Sequence, residues 1–353
     1  MKCISTRDTW WNPHLRTIST KHHSIVDVRY HPDSRHFASY SRDGHVDLWD
    51  AVSGVQVRSE EACSNADSSA VFSPSGSIYA SLKDDVRVLV WCGNQSEDPQ
   101  ELICSRIAST TISFTSDETH AAFGSRNDVC IWDPKTGQSL NVLTGHASDV
   151  VSTVFFSHSG KIYLASMHQD KCVIIWDAAE GTRIKDLSLS HLGSISQITV
   201  SRNGHILAVA SDIVHLWNTH TWQPLPSLRA KDNSTVTSIT FSPSSDLLVS
   251  SSENGSLQVW DLWGISSYVP MPYDHTTSVT CMAFSPNGHH LLSGAQDGQI
   301  IIWDASSGKR LKTLDGHKSS ILDMSFSHDG KQLTSTAYNE SPIVWDLGTG
   351  QII

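Results

Sequence analysis

The chain has 353 residues and a formal net charge of −11 at pH 7, with 25 Lys and Arg against 36 Asp and Glu. This acidic balance argues against a broad surface for nucleic acid or anionic lipid. No apolar run approaches the length of a bilayer-spanning helix, and the N-terminus lacks the apolar core of a signal peptide. We therefore expect a cytoplasmic protein, with the nucleus as an alternative location, and no nucleic-acid or membrane partner.

The chain starts with a segment that fits no regular pattern, and residues 1–13 are predicted to be an N-terminal leader. Residues 14–353 are predicted to form one domain. It opens with Leu15–Ile18, which predicts a lone strand, and a unit ending in Trp follows. The predicted strands of this first unit are Ile25–Tyr30, His36–Tyr40 and His45–Trp49.

Tryptophan then ends an apolar run at a nearly fixed interval of 41 to 44 residues. These residues are Trp49, Trp91, Trp132, Trp176, Trp217, Trp260, Trp303 and Trp345. Turn sequences such as Asp297-Gly298 separate the runs, and the pattern predicts four short antiparallel strands in each unit. A four-stranded sheet cannot bury both of its faces alone, whereas sheets stacked around an axis can. The fold class is therefore predicted to be all-β, a closed β-propeller of four-stranded antiparallel blades.

Three units carry His, Ser, a turn acid or amide, and Trp in the same order. The sets are His146, Ser166, Asp170 and Trp176; His275, Ser293, Asp297 and Trp303; and His317, Ser335, Asn339 and Trp345. The Ser precedes the turn residue by four positions and the Trp follows it by six, so the two side chains can meet between adjacent strands. A His–Ser–Trp chain with a carboxylate on the other imidazole nitrogen can satisfy its buried polar groups.

This motif and its period resemble the WD-repeat β-propeller family. The resemblance covers the chain from about residue 14 to its end, and it implies that the His, Ser, acid and Trp side chains brace each blade. It also implies that strands from both ends of the chain complete one blade. We expect Leu15–Ile18 to supply the outer strand of the blade ending at Trp345, which gives eight blades. A seven-bladed ring with one loose unit is the alternative.

Four units depart from the motif. The third has a shortened turn, with Asp128 only four residues before Trp132, and lacks the His; in the fifth, Asp212 lies five residues before Trp217. The second and sixth lack the His at the expected position. These blades are expected to depend more on packing.

The chemical motifs of enzymes are missing or repeated. A single Ser–His–Asp active site would not recur from unit to unit beside a Trp, so we predict a non-enzymatic protein without catalytic residues. The seven cysteines never form Cys-x-x-Cys, no spaced cluster of ligand residues is evident, and no glycine-rich phosphate loop is present. Neither a metal nor a cofactor is predicted.

The resemblance implies that partners bind on the rim formed by the turns around the Ser–acid hairpin. The residue just before the turn acid, or before the Asn that replaces it, is expected to point there. These residues are Arg42, Asp84, Gln169, Glu253, Gln296 and Tyr338. Their mixed charge and single aromatic ring suit a protein or peptide better than a phosphate chain.

The sequence therefore predicts a protein–protein interaction scaffold, a monomeric ring within larger assemblies. One alternative is a substrate-recognition or sensor module of a larger complex, similar to a ubiquitin-ligase receptor or an immune receptor. The other is an enzyme or small-molecule binder that uses the axial channel, and it would require one deep polar pocket.

Overall fold

The structure, a computed structural model, describes residues 14–18, 20, 25–31, 33–41, 43, 45–61, 70–74, 78–82, 87–92, 100–103, 112–189, 195–229, 234–262, 268–270 and 274–347. Within these ranges the regular structure consists of 32 β-strands. A helix able to cross a membrane is not found in this part of the chain. The predicted leader lies outside the described residues.

The strands form eight sheets, each of four antiparallel strands, and we number them as blades 1 to 8 in chain order. Blade 1 contains β2 Ile25–Tyr30, β3 His36–Ser41, β4 His45–Asp50 and β5 Gln56–Glu61. Blade 2 contains β6 Ala70–Phe72, β7 Ile78–Leu82, β8 Arg87–Cys92 and β9 Gln100–Ile103. Blade 3 contains β10 Ser113–Phe114, β11 Ala121–Ser125, β12 Asp128–Trp132 and β13 Ser139–Leu143. Blade 4 contains β14 Val150–His158, β15 Lys161–His168, β16 Cys172–Asp177 and β17 Thr182–Ser188.

The second half of the chain repeats this arrangement. Blade 5 contains β18 Gln197–Val200, β19 Ile206–Ala210, β20 Val214–Asn218 and β21 Pro224–Leu228. Blade 6 contains β22 Val236–Phe241, β23 Leu247–Ser252, β24 Leu257–Asp261 and β25 Tyr268–Pro270. Blade 7 contains β26 Val279–Phe284, β27 His290–Ala295, β28 Ile300–Asp304 and β29 Arg310–Leu314. Blade 8 contains β30 Ile321–Phe326, β31 Gln332–Ala337, β32 Ile343–Asp346 and, as its outer strand, β1 His14–Thr17.

The outer strand of blade 8 closes the ring. β1 pairs antiparallel with β32, and Thr17 lies opposite Ile343. The strand begins and ends one residue earlier than predicted, but Ile18 still donates its amide N–H to the carbonyl of Pro342 at 2.9 Å and is buried. The predicted propeller is confirmed, and the eight sheets agree with the count of Trp-ended units.

The two middle strands of a blade are buried on both faces because each sheet is covered by a neighbour on either side. All five residues of β11 and of β19 are buried, whereas most of β13 on the outer edge is exposed. The apolar clusters lie between blades: Leu292 and Ile302 of blade 7 pack with Met324 and Leu333 of blade 8. Stacking therefore supplies the core that one sheet could not form.

The turns of each blade lie at two opposite ends. Because the strands alternate in direction, the turns between the first and second strands lie at one end, and those between the second and third lie at the other. We call the second set, with the segments that connect blades, the rim. At the rim, Gly298 has φ +80°, and a side chain there would approach the His317 carbonyl oxygen to 2.9 Å. The predicted Asp-Gly turn therefore needs its glycine.

Candidate functional site

Blade 8 contains the most complete polar network. The indole N–H of Trp345 donates to Oγ of Ser335 at 2.8 Å, and this oxygen lies 2.8 Å from Nε2 of His317. Nδ1 of the same imidazole lies 2.9 Å from Oε2 of Glu340. A carboxylate only accepts, so His317 carries its proton on Nδ1, and the Ser335 hydroxyl donates to Nε2.

The carboxylate in blade 8 comes from Glu340, not from the position predicted by spacing. Asn339 occupies that position, but it has a left-handed backbone with φ 57°, and the following residue reaches His317 instead. Glu340 also accepts from the amide of Lys318 and the hydroxyl of Ser319, each at 2.8 Å. Burial works to raise the pKa of Glu340, but these bonds and the one from His317 outweigh it and lower that pKa. In the sequence, Glu340 directly follows Asn339, and this was the feature that could have predicted the carboxylate of the network.

Blade 7 contains the same His, Ser and Trp, but its acid lies farther from the His. Oγ of Ser293 accepts the indole N–H of Trp303 at 2.8 Å and lies 2.6 Å from Nε2 of His275. Asp297 is 4.0 Å from Nδ1 of His275, beyond a hydrogen bond, and its carboxylate binds Thr276 and the amide of Gln299 instead. Burial lowers the pKa of His275, and the distant Asp297 opposes this only in part.

Blade 4 brings His146, Ser166 and Trp176 together but not the predicted acid. Oγ of Ser166 lies 2.8 Å from Nε2 of His146 and accepts the Trp176 indole N–H at 2.9 Å. A second buried imidazole, His168, packs against His146 with ring centroids 4.1 Å apart, and Asp170 lies 3.6 Å from this second ring. Asp170 was predicted to complete the His146 network, but the ring of His168 lies beside His146 instead, and Nδ1 of His146 has no hydrogen-bond partner among the described residues. Burial, reinforced by His168, lowers the pKa of His146 to about 4.

Three further blades retain part of the arrangement or replace it. In blades 1 and 6 the Trp indole donates to a Ser, at 2.8 Å from Trp49 to Ser39 and at 2.9 Å from Trp260 to Ser250. In blade 3, Phe123 occupies the position that Ser166 has in blade 4. Trp132 pairs with Ala121, two residues before Phe123, and Trp176 pairs with Leu164, two residues before Ser166. Its ring lies 4.4 Å from that of Trp132, whose Nε1 has no hydrogen-bond partner among the described residues.

These networks cannot supply a nucleophile to a substrate. Ser166, Ser293 and Ser335 have no exposed surface, and each oxygen already accepts an indole N–H. The three sets lie inside three different blades and do not converge on one cavity. Their geometry supports a brace.

The predicted partner-binding residues occupy equivalent rim positions wherever the structure describes them. Each donates its backbone N–H to a carbonyl of the segment that enters its blade: Gln169 to Asp149, Glu253 to Thr235, Gln296 to Ser278 and Tyr338 to Ser320, at 2.9 to 3.1 Å. All four side chains are exposed, and that of Tyr338 is 46 % exposed. Arg42 and Asp84 lie outside the described residues.

Eight stacked sheets with a recurring buried Ser–Trp pair define a repeat protein of the propeller class. The family model "WD domain, G-beta repeat" matches residues 13–50, 137–177 and 222–261, and the model "Vps8 beta-propeller" matches residues 270–347. The chain belongs to the WD-repeat β-propeller family.

The proteins similar to this chain include a protein subunit, a transcriptional corepressor and a designed protein. It is 24 % identical over 268 residues to a guanine nucleotide-binding protein subunit beta of Oryza sativa subsp. japonica, covering 70 % of each chain. It is 27 % identical over 246 residues to the transcriptional corepressor LEUNIG_HOMOLOG of Arabidopsis thaliana, covering 67 % of this chain and 30 % of that protein. The crystal structure of the computationally designed Ika8 protein matches with a TM-score of 0.78 and 22 % identity, over 95 % of this chain and all of that one, which shows the shared fold.

Proposed function

We propose that the protein is a non-enzymatic scaffold that binds a protein or peptide on the rim of its propeller. The observation that carries the proposal is the set of exposed side chains at equivalent rim positions, Gln169, Glu253, Gln296 and Tyr338. They combine one acid, two amides and one aromatic ring, and Tyr is favoured at the centres of protein interfaces. The matched relatives support the proposal, because a subunit is by name part of an assembly.

The rigidity of the rim favours binding with a small loss of conformational entropy. Each rim residue follows a middle strand that is buried on both faces, and its backbone is bonded to the segment entering the blade. Little conformational freedom is therefore lost when a ligand binds. We further propose that the protein acts as a monomeric ring in the cytoplasm.

The test compares partners recovered by three baits. We expect the double variant Arg42→Ala/Tyr338→Ala to recover at least one partner about tenfold less than the wild-type chain, as the loss of a hot-spot residue predicts. The matched control is Leu311→Ala, because Leu311 is 39 % exposed but lies on the outer strand of blade 7, away from the rim. Equal recovery by all three baits would remove the rim from the proposal.

A further inference from the structure

The turn between β2 and β3 of blade 1 differs from the equivalent turns of the other blades. In six of them the turn begins with Ser or Thr, whose hydroxyl accepts the amide N–H of the residue five positions later. These residues are Ser73, Thr115, Ser201, Ser242, Ser285 and Ser327. In blade 1 the position holds His31. A feature that occurs in one blade only is a better candidate for a site than a repeated one.

His31 joins Asp33 and His36 in a compact cluster. Oδ2 of Asp33 lies 3.1 Å from Nδ1 of His31 and 2.6 Å from Nδ1 of His36. One ligand atom from each of the three residues lies within 4.8 Å of the other two. The side chains are 26 %, 37 % and 27 % exposed in chain order, so an ion can reach them from solvent.

Backbone amides fix the orientation of the Asp33 carboxylate. Oδ1 of Asp33 accepts the amide N–H groups of Arg35 at 2.8 Å and His36 at 2.9 Å, which leaves Oδ2 to face the two rings. Burial works to raise the pKa of Asp33, but the bonds from His36 and from these amides outweigh it and lower it to about 2. The group is therefore an anion at neutral pH.

Two of the three ligand separations are close to those around a small divalent cation, and the third, between the two His ligand nitrogens, is at most 4.8 Å. Zinc bonds to His nitrogen and carboxylate oxygen of 2.0–2.1 Å place neighbouring tetrahedral ligands about 3.3 Å apart. The two Asp33–His contacts need to open by only about 0.2 Å and 0.7 Å to reach that separation. A bound cation would replace the proton between Asp33 and His36 and the bond from the Asp33 amide to Nδ1 of His31, which is 3.1 Å long.

We propose that His31, Asp33 and His36 bind one Zn²⁺ ion, with water completing the coordination. Two imidazoles and one carboxylate are a common zinc ligand set, and three protein ligands leave a position open. No metal site was predicted from the sequence, and this cluster argues against that prediction. The same turn connects blades 1 and 8, since Oγ of Ser34 accepts the Asp329 amide N–H at 2.8 Å. Zinc at this turn therefore stabilises the junction where the ring closes.

The direct test is titration of the purified full chain with Zn²⁺ by calorimetry, and with Co²⁺ by visible absorption. We expect one Zn²⁺ per chain and a rise in melting temperature on binding. The variant His31→Ser installs the hydroxyl residue found in most other blades, so its fold should be retained, and circular dichroism checks this. We expect it to weaken Zn²⁺ binding at least about tenfold.

Blade 3 provides a matched control with the same spacing. Thr115, Asp117 and His120 have the spacing of His31, Asp33 and His36. This turn lacks the first ligand, and Nδ1 of His120 lies 2.7 Å from Oγ1 of Thr119 instead of being bonded to the Asp117 carboxylate. We expect His120→Gln to leave Zn²⁺ binding unchanged. We expect Thr115→His to add a second Zn²⁺ per chain, which a merely structural role for the blade 1 turn would not produce.

A second histidine cluster defines the result that would overturn the assignment. Nε2 of His158 lies 2.9 Å from Nδ1 of His220, and the ring of His205 is 5.0 Å from that of His158. Zinc binding that survives His31→Ser but disappears in His220→Asn would place the ion there instead. An absence of zinc binding to the folded wild-type chain would also overturn the proposal.

Discussion

Blades 3 and 8 place a tryptophan at the same point of their third strand but treat its indole N–H differently. In blade 8 the indole of Trp345 donates to Ser335, which is linked through His317 to Glu340. In blade 3 the indole of Trp132 packs against Phe123 and finds no hydrogen-bond partner among the described residues. Both rings are buried within four-stranded sheets. The backbone of a blade thus tolerates the loss of the polar network when apolar packing replaces it.

The largest effect is expected from removing the shared oxygen of the blade 8 network. Ser335→Ala leaves the indole N–H of Trp345 and Nε2 of His317 without their buried partner, and it should lower the free energy of unfolding by about 3 kcal/mol. The matched variant Ser250→Ala in blade 6 removes one such bond, from Trp260, and should cost about half as much. Urea denaturation measures both. Equal costs would show that His317 adds nothing to the blade 8 network.

A smaller effect is expected from acid in blade 4. The pKa of His146 falls from 6.5 in the unfolded chain to about 4 in the folded protein. Its contribution to stability is therefore complete above pH 6.5 and is lost as the pH falls from 6.5 towards 4, with a loss on the order of 2 kcal/mol. His146→Gln should make this part of the stability curve shallower, and the slope that remains belongs to other buried histidines such as His168 and His275, whose pKa values are also lowered by burial.

Blade 8 is the control for this pH dependence. The pKa of Glu340 is lowered below its ordinary value of 4.5, so its contribution is present above that pH and lost below it. Glu340→Gln should therefore remove the part of the acid dependence that lies below pH 4.5. The same change between pH 6.5 and 4.5 in both variants would contradict the assignment of that range to His146.

The smallest difference is expected between two Trp→Phe variants. Trp345→Phe breaks a buried hydrogen bond, whereas Trp132→Phe removes a donor that has no described partner. The two changes lose a similar volume, so the blade 8 variant should be less stable by about 1 kcal/mol more than the blade 3 variant. Thermal and urea unfolding of the two variants would measure the difference. A larger loss in blade 3 would show that its indole N–H does have a partner.

The repeat made most of the fold predictable, because the period, the turn residues and the apolar runs all indicate the same sheets. The blade-completing strand was predicted within one residue, as Leu15–Ile18, and the structure has it at His14–Thr17. The shift changes little in the packing, because the apolar Ile18 is buried although it follows the strand.

The acids of the brace were harder to predict because their positions depend on turn conformation. A left-handed Asn339 moves the acid role to Glu340, and the ring of His168 takes the place beside His146 that Asp170 was predicted to fill. Spacing along the sequence contains neither the φ angle nor the position of a second ring. The cluster at His31 was missed for a similar reason, since its three residues resemble an ordinary turn until their side chains are placed.

The pairing of β1 with β32 has a consequence for how the chain is made. His14 and Trp345 are opposite one another in one sheet although more than 300 residues separate them. During synthesis the earliest strand must wait for the final repeat, and contacts so distant along a chain form slowly because a very long loop has to close. We expect the pairing of β1 with β32, which closes the ring, to form last during folding. The first step of unfolding should be the release of the same four-residue strand.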